Sequence, residues 1–295
     1  MNRYSEFRDM ADMFIDEAIW NRNHRLNKLW VKGDYTMFTN HIGHSHADGT
    51  RLGLSFGYDW QSSLTLVLGW TGHITQTDNK NVDNIDLSYG RVTGVTGTNE
   101  TNVTDTGFGF GGYFMKTLSN KARFYGDLML DFNIIDVDRS QTWVEDSSGD
   151  AFAYGIMAEA GLIHDWLNQY IIGNLYARAG YNFGFKMNEK IGDEDYLNFK
   201  FNGHAVLTPG YSLTAQKRVY PSVWFEFRPY ATVGIEYGLL GPGDTDYKFA
   251  LANAWTKYDT SVDPLWINGG GGIEFLSVTG MARVGGYDDR TFDDE

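Results

Sequence analysis

Along this chain, stretches of about ten residues recur in which apolar and aromatic side chains hold every second position while small or polar ones fill the places between. From Arg51, for example, Leu52, Leu54, Phe56, Tyr58 and Trp60 alternate with Arg51, Gly53, Ser55, Gly57 and Asp59. A period of two is that of a β-strand, whose successive side chains point to opposite faces. A sheet with one face this greasy along its whole length has few places to go. In a lipid bilayer it is stable when the sheet closes on itself, because closure satisfies every backbone donor and acceptor between strands. No stretch approaches the roughly 20 apolar residues of a spanning helix, so any membrane crossing falls to the strands.

Composition fits that reading once lumen and loops are counted. The mean hydropathy of -0.37 is low for a membrane protein, but half of each barrel strand faces water. Aromatic residues make up 16% of the chain, with 35 Gly and only 5 Pro. There is no cysteine, which excludes a disulfide scaffold, a thiolate metal site and a cysteine nucleophile. A formal net charge of -14 argues against nucleic acid, whose phosphates require clustered Lys and Arg. The first residues, Met-Asn-Arg-Tyr-Ser-Glu, carry no apolar core of a signal peptide. A barrel therefore implies that the chain is a piece of a longer exported precursor.

Two regions are expected, a leading helix over residues 1–27 and one β-domain over 28–295. In the helix Phe7, Ala11, Phe14 and Ala18 share a face, while Arg3, Arg8, Asp9, Asp12, Asp16 and Glu17 decorate the rest. About 26 residues would make it roughly 39 Å long. That suffices to cross a bilayer, but the charges forbid contact with lipid, so the helix needs a wet or protein-lined path.

Strand alternation starts at Leu29-Trp30-Val31 and repeats through at least eleven segments, or twelve if Lys248–Tyr258 contributes one. Twelve is the expectation, since single-chain bacterial barrels favour even numbers. Short connections (Gln61–Ser63, Ser119–Lys121, Leu167–Gln169) alternate strictly with polar segments read as long loops: His41–Gly49, Thr75–Thr104, Asp136–Asp150 and Asn188–Gly203. Tight turns at one rim and long loops at the other are the asymmetry of a transmembrane barrel. By this parity the first strand ascends from the periplasmic rim, where the helix ends.

Alternation also places Arg123, Asp127, Asp131, Glu159, Arg178, Glu226, Arg228, Glu236 and Glu274 on the inward face. Mixed charges inside a narrow tube either grip something polar, such as the helix, or grip each other and line a pore. Twelve strands about 4.8 Å apart, tilted about 40°, give a backbone diameter near 24 Å. Inward side chains reduce this to roughly 12 Å, the width of an α-helix with its side chains. Other candidates are weaker. His41, His44, His46 and Asp48 have metal-ligand identities but no rigid element to fix them. The acidic groups Asp78, Asp83 and Asp86, Asp193 to Asp195, and Asp244 with Asp246 lack calcium-loop spacing. His164-Asp165 adjoins a short turn, and no Ser–His constellation for catalysis is visible. Neither an enzyme nor a cofactor is expected.

The run Arg51-Leu-Gly-Leu-Ser-Phe-Gly-Tyr-Asp-Trp60 with Leu66-Val-Leu-Gly-Trp70, then Gly109-Phe-Gly-Gly-Tyr-Phe-Met-Lys-Thr117 leading to Ala122-Arg-Phe-Tyr-Gly-Asp127, resembles the translocator domain of bacterial type V autotransporters. Ala158-Glu-Ala-Gly161 and Arg228-Pro-Tyr-Ala231 are similar to its later strands. The resemblance implies a twelve-stranded outer-membrane barrel, its pore occupied by the helix that joins it to an N-terminal passenger. It also implies as partners the bilayer with its lipopolysaccharide, the passenger, and the barrel-assembly machinery. One departure is the ending: Phe292 is followed by Asp293-Asp294-Glu295 where the family ends on an aromatic residue, so either the chain is truncated and lacks a final strand or its terminus is unusual. A small solute channel with the helix outside, and an adhesin acting through its loops, remain alternatives.

Overall fold

The computed structural model describes residues 28–291 apart from the short segments 43–44, 64, 87–95, 143, 168–169, 218, 223–224, 241–244, 250–253, 259–263 and 278–280. The expected helix, with Phe7, Ala11, Phe14 and Ala18, lies outside the described residues.

The described residues form sixteen strands. In chain order these are β1 (Lys28–Ile42), β2 (Ser45–Ser63), β3 (Leu66–Asp86), β4 (Thr96–Thr117), β5 (Ala122–Gln141), β6 (Val144–Asp165), β7 (Ile171–Asn182), β8 (Phe185–Ile191), β9 (Glu194–Phe201), β10 (His204–Gln216), β11 (Val219–Ser222), β12 (Phe225–Tyr237), β13 (Thr245–Phe249), β14 (Thr256–Tyr258), β15 (Leu265–Ser277) and β16 (Met281–Thr291). Eleven of them make one antiparallel wall in the order β1-β2-β3-β4-β5-β6-β7-β10-β12-β15-β16. Among the described residues no ladder joins β16 back to β1.

The wall is inside out relative to a water-soluble protein. Its apolar face is exposed, with Phe110 at 57%, Leu128 at 50% and Leu175 at 57%, whereas Ser55, Glu159 and Arg178 on the other face are at 4%, 4% and 1%. Aromatic rings mark the edges of the apolar band. At one edge Phe132 and Phe152 stack 6.3 Å apart, and Tyr154 lies 4.6 Å from Phe183; exposed Trp60, Phe124, Trp166 and Tyr170 lie near the short turns at the other. On β6 the twelve-residue step from Tyr154 to Trp166 covers roughly 30 Å for a strand tilted about 40°. That is close to the about 25 Å apolar band between the aromatic girdles of membrane barrels.

The segments read as long loops are mostly strand, which corrects the sequence expectation. β3 runs on to Asp86 and is paired with β4 from Thr96, Asp136–Asp150 belongs to β5 and β6, and His41 pairs with His46 in the β1–β2 hairpin. Polar residues on both faces leave no period-two signal there, yet backbone ladders and Thr-rich sequences sustain a sheet in water. β4, at 22 residues, is about twice the 9–11 residues that a bilayer requires. Its far half therefore projects beyond the aromatic edge, where Lys80 meets Glu100 at 2.7 Å.

The segments Asn188–Gly203 and Lys248–Tyr258 form a second tier. There β8 pairs with β6, β9 with β8, β13 with β9 and β14 with β13. β8 continues β7 after a break at Phe183–Gly184. From Asn182 to Asn188 this path advances six residues while the partner positions on β6, Gly155 to Asp150, advance five. The extra residue acts as a bulge and swaps the faces. Even positions such as Arg178 are buried on β7, but odd ones, Met187 and Glu189, are buried on β8. Met187 joins Ile135, Val137, Ala151 and Ala153 in an apolar cluster, with Val103, Phe185, Phe199 and Phe201 packed against it.

Candidate functional site

The buried polar face is the candidate site, and glycines shape it. On β4 the residues facing this side include Gly107, Gly109 and Gly111. A Cβ on Gly109 would collide with the His73 imidazole and the Asp131 carboxylate, and one on Gly107 would stand 2.5 Å from Thr75 Oγ1 and 2.9 Å from Asn133 Oδ1. The bare glycine lets His73 of β3 reach across β4 to Asp131 of β5, Nε2 to Oδ1 3.2 Å. Register explains the alignment, since His73 pairs with Gly109 and Gly109 with Asp131.

The same device recurs around the wall. Tyr113 lies over Gly69 and its hydroxyl donates to Asp59 two strands away. Tyr176 lies over Gly210 and donates to Glu236 at 2.5 Å. Tyr125 lies over Gly161, donates to Glu159 at 2.6 Å and accepts from Asn174 Nδ2 at 3.1 Å. In the second tier Gly149 is crossed by Glu189, which meets Arg139 at 3.1 Å and accepts from Ser147 at 3.3 Å. Alternate strands are thus braced by polar ties laid over small residues. The outward side chains of β8, Lys186, Asn188 and Lys190, are polar, so this tie stands outside any bilayer. Burial pushes the Glu189 carboxyl above the ordinary glutamate range, and Arg139 and Ser147 only partly offset this.

Of the inward charges expected from the sequence, three form one cluster. Arg178 donates through Nε and Nη2 to Glu159 Oε2, both at 2.8 Å, and its Nη1 is 3.9 Å from Glu236. Its guanidinium also lies over the Tyr176 ring, 5.4 Å from the centroid. These three charges grip each other. Asp127 Oδ2, Asp131 Oδ2 and His73 Nδ1 have no hydrogen-bond partner among the described residues. Arg228 is buried and its backbone pairs with that of Glu274, while Arg123 is half-buried. The side chains of Glu226 and Glu274 lie outside the described residues.

Sequence reasoning missed His73, the three tyrosines, Asn174 and the Glu189–Arg139 tie. The first five needed the register, because a tyrosine on a polar face reads as a strand residue until the glycine opposite it is known. The tie was hidden in a segment read as loop. A Ser–His pair does exist in register, Ser55 opposite His73, but the ring leans away from β2, over Gly109, toward Asp131. His73 is a strut of the wall. His164 stacks edge-on against Trp166 at 4.8 Å beside the short turn. The side chains of His41 and His46 are outside the described set, as is His44. Asp78 accepts from Thr104 at 3.0 Å and Asp246 lies 3.8 Å from Lys200.

No protein-family model matches the chain, and no curated protein matches it in sequence. Solved structures do. The translocator domain of the autotransporter NalP from Neisseria meningitidis superposes with a TM-score of 0.56 at 12% identity, covering 97% of this chain and 95% of that one. This chain has the fold of an autotransporter translocator domain. The β-domain of the Bordetella autotransporter BrkA is similar too, with a TM-score of 0.50 at 13% identity over 89% of this chain and 93% of that one. At such identity the likeness rests on the antiparallel wall and its order of strands, the features built above from alternation, register and glycine placement.

Proposed function

We propose that the chain is an outer-membrane translocator: its wall closes into a barrel and conducts a passenger, attached upstream of residues 1–27, to the cell surface. The observation that carries this reading is the inverted sheet, greasy outside and charged inside, in a fold shared over nearly its whole length with the translocator domain of NalP. An all-antiparallel barrel closes only with an even number of strands. Among the described residues the wall has eleven strands, and β1 and β16 run in the same direction. The bilayer with its lipopolysaccharide meets the apolar face, and barrel-assembly machinery inserts the domain.

Residues 1–27 run as a helix through the lumen. With Glu159, Arg178 and Glu236 already committed to one another, Asp127 and Asp131 are two described acids that each keep a carboxylate oxygen without a hydrogen-bond partner. Deleting residues 1–26 should raise single-channel conductance in planar bilayers several-fold. Unchanged conductance would refute the plug, and high conductance of the intact chain would favour the solute-channel reading.

A further inference from the structure

The outward face of the second tier is basic in a chain whose formal net charge is -14. Lys186 of β8 stands directly opposite Lys200 of β9, Lys200 opposite Asp246 of β13, and Asp246 opposite Lys257 of β14. Two residues further from the aromatic edge, Asn188, Asn198 and Lys248 lie in register in the same way. Cross-strand partners share a face, and this face is the outward one, since Met187 and Leu197 on the other are buried. Lys186, Lys200 and Lys257 are exposed, and Lys248 lies over the Trp255 ring, 5.2 Å from its centroid. Asp246, 3.8 Å from Lys200, is the carboxylate that shares these rows with the four ammonium groups, while Lys190, nearer the tip, stands opposite Asp195. Like charges directly opposite each other on paired strands repel, so Lys186 and Lys200 gain from an anion seated on them. The adjoining sector has the opposite sign: Asp78 of β3, Asp136 of β5 and Asp150 of β6 lie in register through Thr104, at the level of Asn188.

We propose that the face formed by Lys186, Lys200, Lys248 and Lys257 docks the phosphate-bearing headgroup of an outer-leaflet lipid. The proposal rests on the reading that the wall stands in an outer membrane, and adds which sector of the wall grips the lipid and by what chemistry. Height favours a phosphate carried by lipid over a free one. The apolar band ends where Tyr154 stacks on Phe183, and Lys186 follows three residues later. At about 2.5 Å of axial rise per tilted strand residue, the first row stands roughly 8 Å beyond the aromatic edge, and Lys248 about 5 Å further out. Aromatic belts sit at the level of the headgroups, so the ammonium groups reach the layer just outside the acyl chains, while exposed Tyr181 and Phe183 below them meet the chains themselves. Lysine holds phosphate as a point charge through charge-assisted hydrogen bonds, and clustered lysines at a membrane surface recognise anionic headgroups in this way. Charge also selects the sector. The row of Asp78, Asp136 and Asp150 repels phosphate, so the lipid docks on β8, β9, β13 and β14 and avoids β3 to β6.

The test titrates the full chain in detergent micelles with lipid A carrying two phosphates, and counts bound lipid by native mass spectrometry. Combining Lys186→Gln, Lys200→Gln, Lys248→Gln and Lys257→Gln should weaken binding at least ten-fold, whereas the same four positions changed from Lys to Arg should bind as the parent does. Lys116→Gln with Lys121→Gln, at the opposite rim, should change nothing. Lipid A stripped of its phosphates should bind the parent and the Lys→Gln variant alike, and inorganic phosphate should not displace the lipid. The proposal is overturned if the Lys→Gln variant binds as tightly as the parent, if the Lys→Arg variant is as weak as the Lys→Gln one, or if inorganic phosphate competes. It is overturned too if the Lys→Gln changes dissociate a dimer and leave lipid binding intact, for the face then belongs to a second copy. Flotation with phosphatidylethanolamine liposomes separates the two levels of failure. If the parent floats but the lysines do not matter, the docking face is wrong and the membrane reading stands; if the parent does not float, both fall.

Discussion

Arg178 is the residue on which the braced wall leans most heavily. Its side chain is 2% exposed and its two carboxylate partners, Glu159 and Glu236, are each 3% exposed. Replacing it with alanine leaves two buried acids facing each other without a cation. Removing one member of a buried ion pair costs about 3–5 kcal/mol, because the remaining charge stays desolvated. The substitution Arg178→Ala should therefore lower the urea midpoint for unfolding from detergent micelles by about 1–2 M, followed by tryptophan fluorescence and by loss of heat-modifiable gel mobility. Replacing all three charges with methionine should recover most of the loss, since an apolar set of similar volume is often neutral or better. Should Arg178→Ala unfold within about 1 kcal/mol of the parent, or the triple variant be as weak as the single one, the three charges do not brace the wall.

Neighbouring glycines on β4 should respond in opposite ways. A Cβ at Gly111 would collide with the backbone carbonyl of Leu128, whereas one at Gly112, on the other face, meets nothing closer than Gly69 O at 3.6 Å. Gly111→Ala should thus reduce the yield of folded, heat-modifiable chain several-fold, and Gly112→Ala should leave it unchanged. The outer tier should weaken with rising pH. Because the Glu189 carboxyl is raised in the folded state, its contribution is complete below the ordinary glutamate range and is lost as pH climbs through the raised value. Amide exchange over residues 185–201, corrected for intrinsic rates, should accelerate from pH 4 to pH 7, and Glu189→Gln should flatten that dependence.

The half of the wall next to the short turns was legible in the sequence because an exposed apolar face and a buried polar one impose a strict alternation. Leu52, Leu54 and Trp60 read outward, Asp131, Glu159 and Arg178 inward, and the structure keeps each there. The outer half was illegible for the same reason. Beyond Gln76 and Asp136 most outward side chains are polar as well, the contrast between the faces fades, and paired strands look like loops. The charge cluster was legible as residues but not as partners. That Arg178 serves Glu159 and Glu236, and that His73 rather than Arg123 answers Asp131, depends on register, which only the paired strands reveal. The one-residue slip at Phe183–Gly184 that turns Met187 and Glu189 inward has no signature beyond a glycine in a strand.

The central claim is that even-numbered side chains of β6 touch lipid while odd-numbered ones face an enclosed aqueous space. Spin labels at single cysteines from Ile156 to Leu162, in the chain reconstituted in liposomes, measure this directly. Collision with oxygen should peak at 156, 158, 160 and 162, and collision with a water-soluble nickel chelate at the positions between or at neither. Uniform access of the nickel chelate to both sets would mean that no membrane covers the apolar face, and the account would fall.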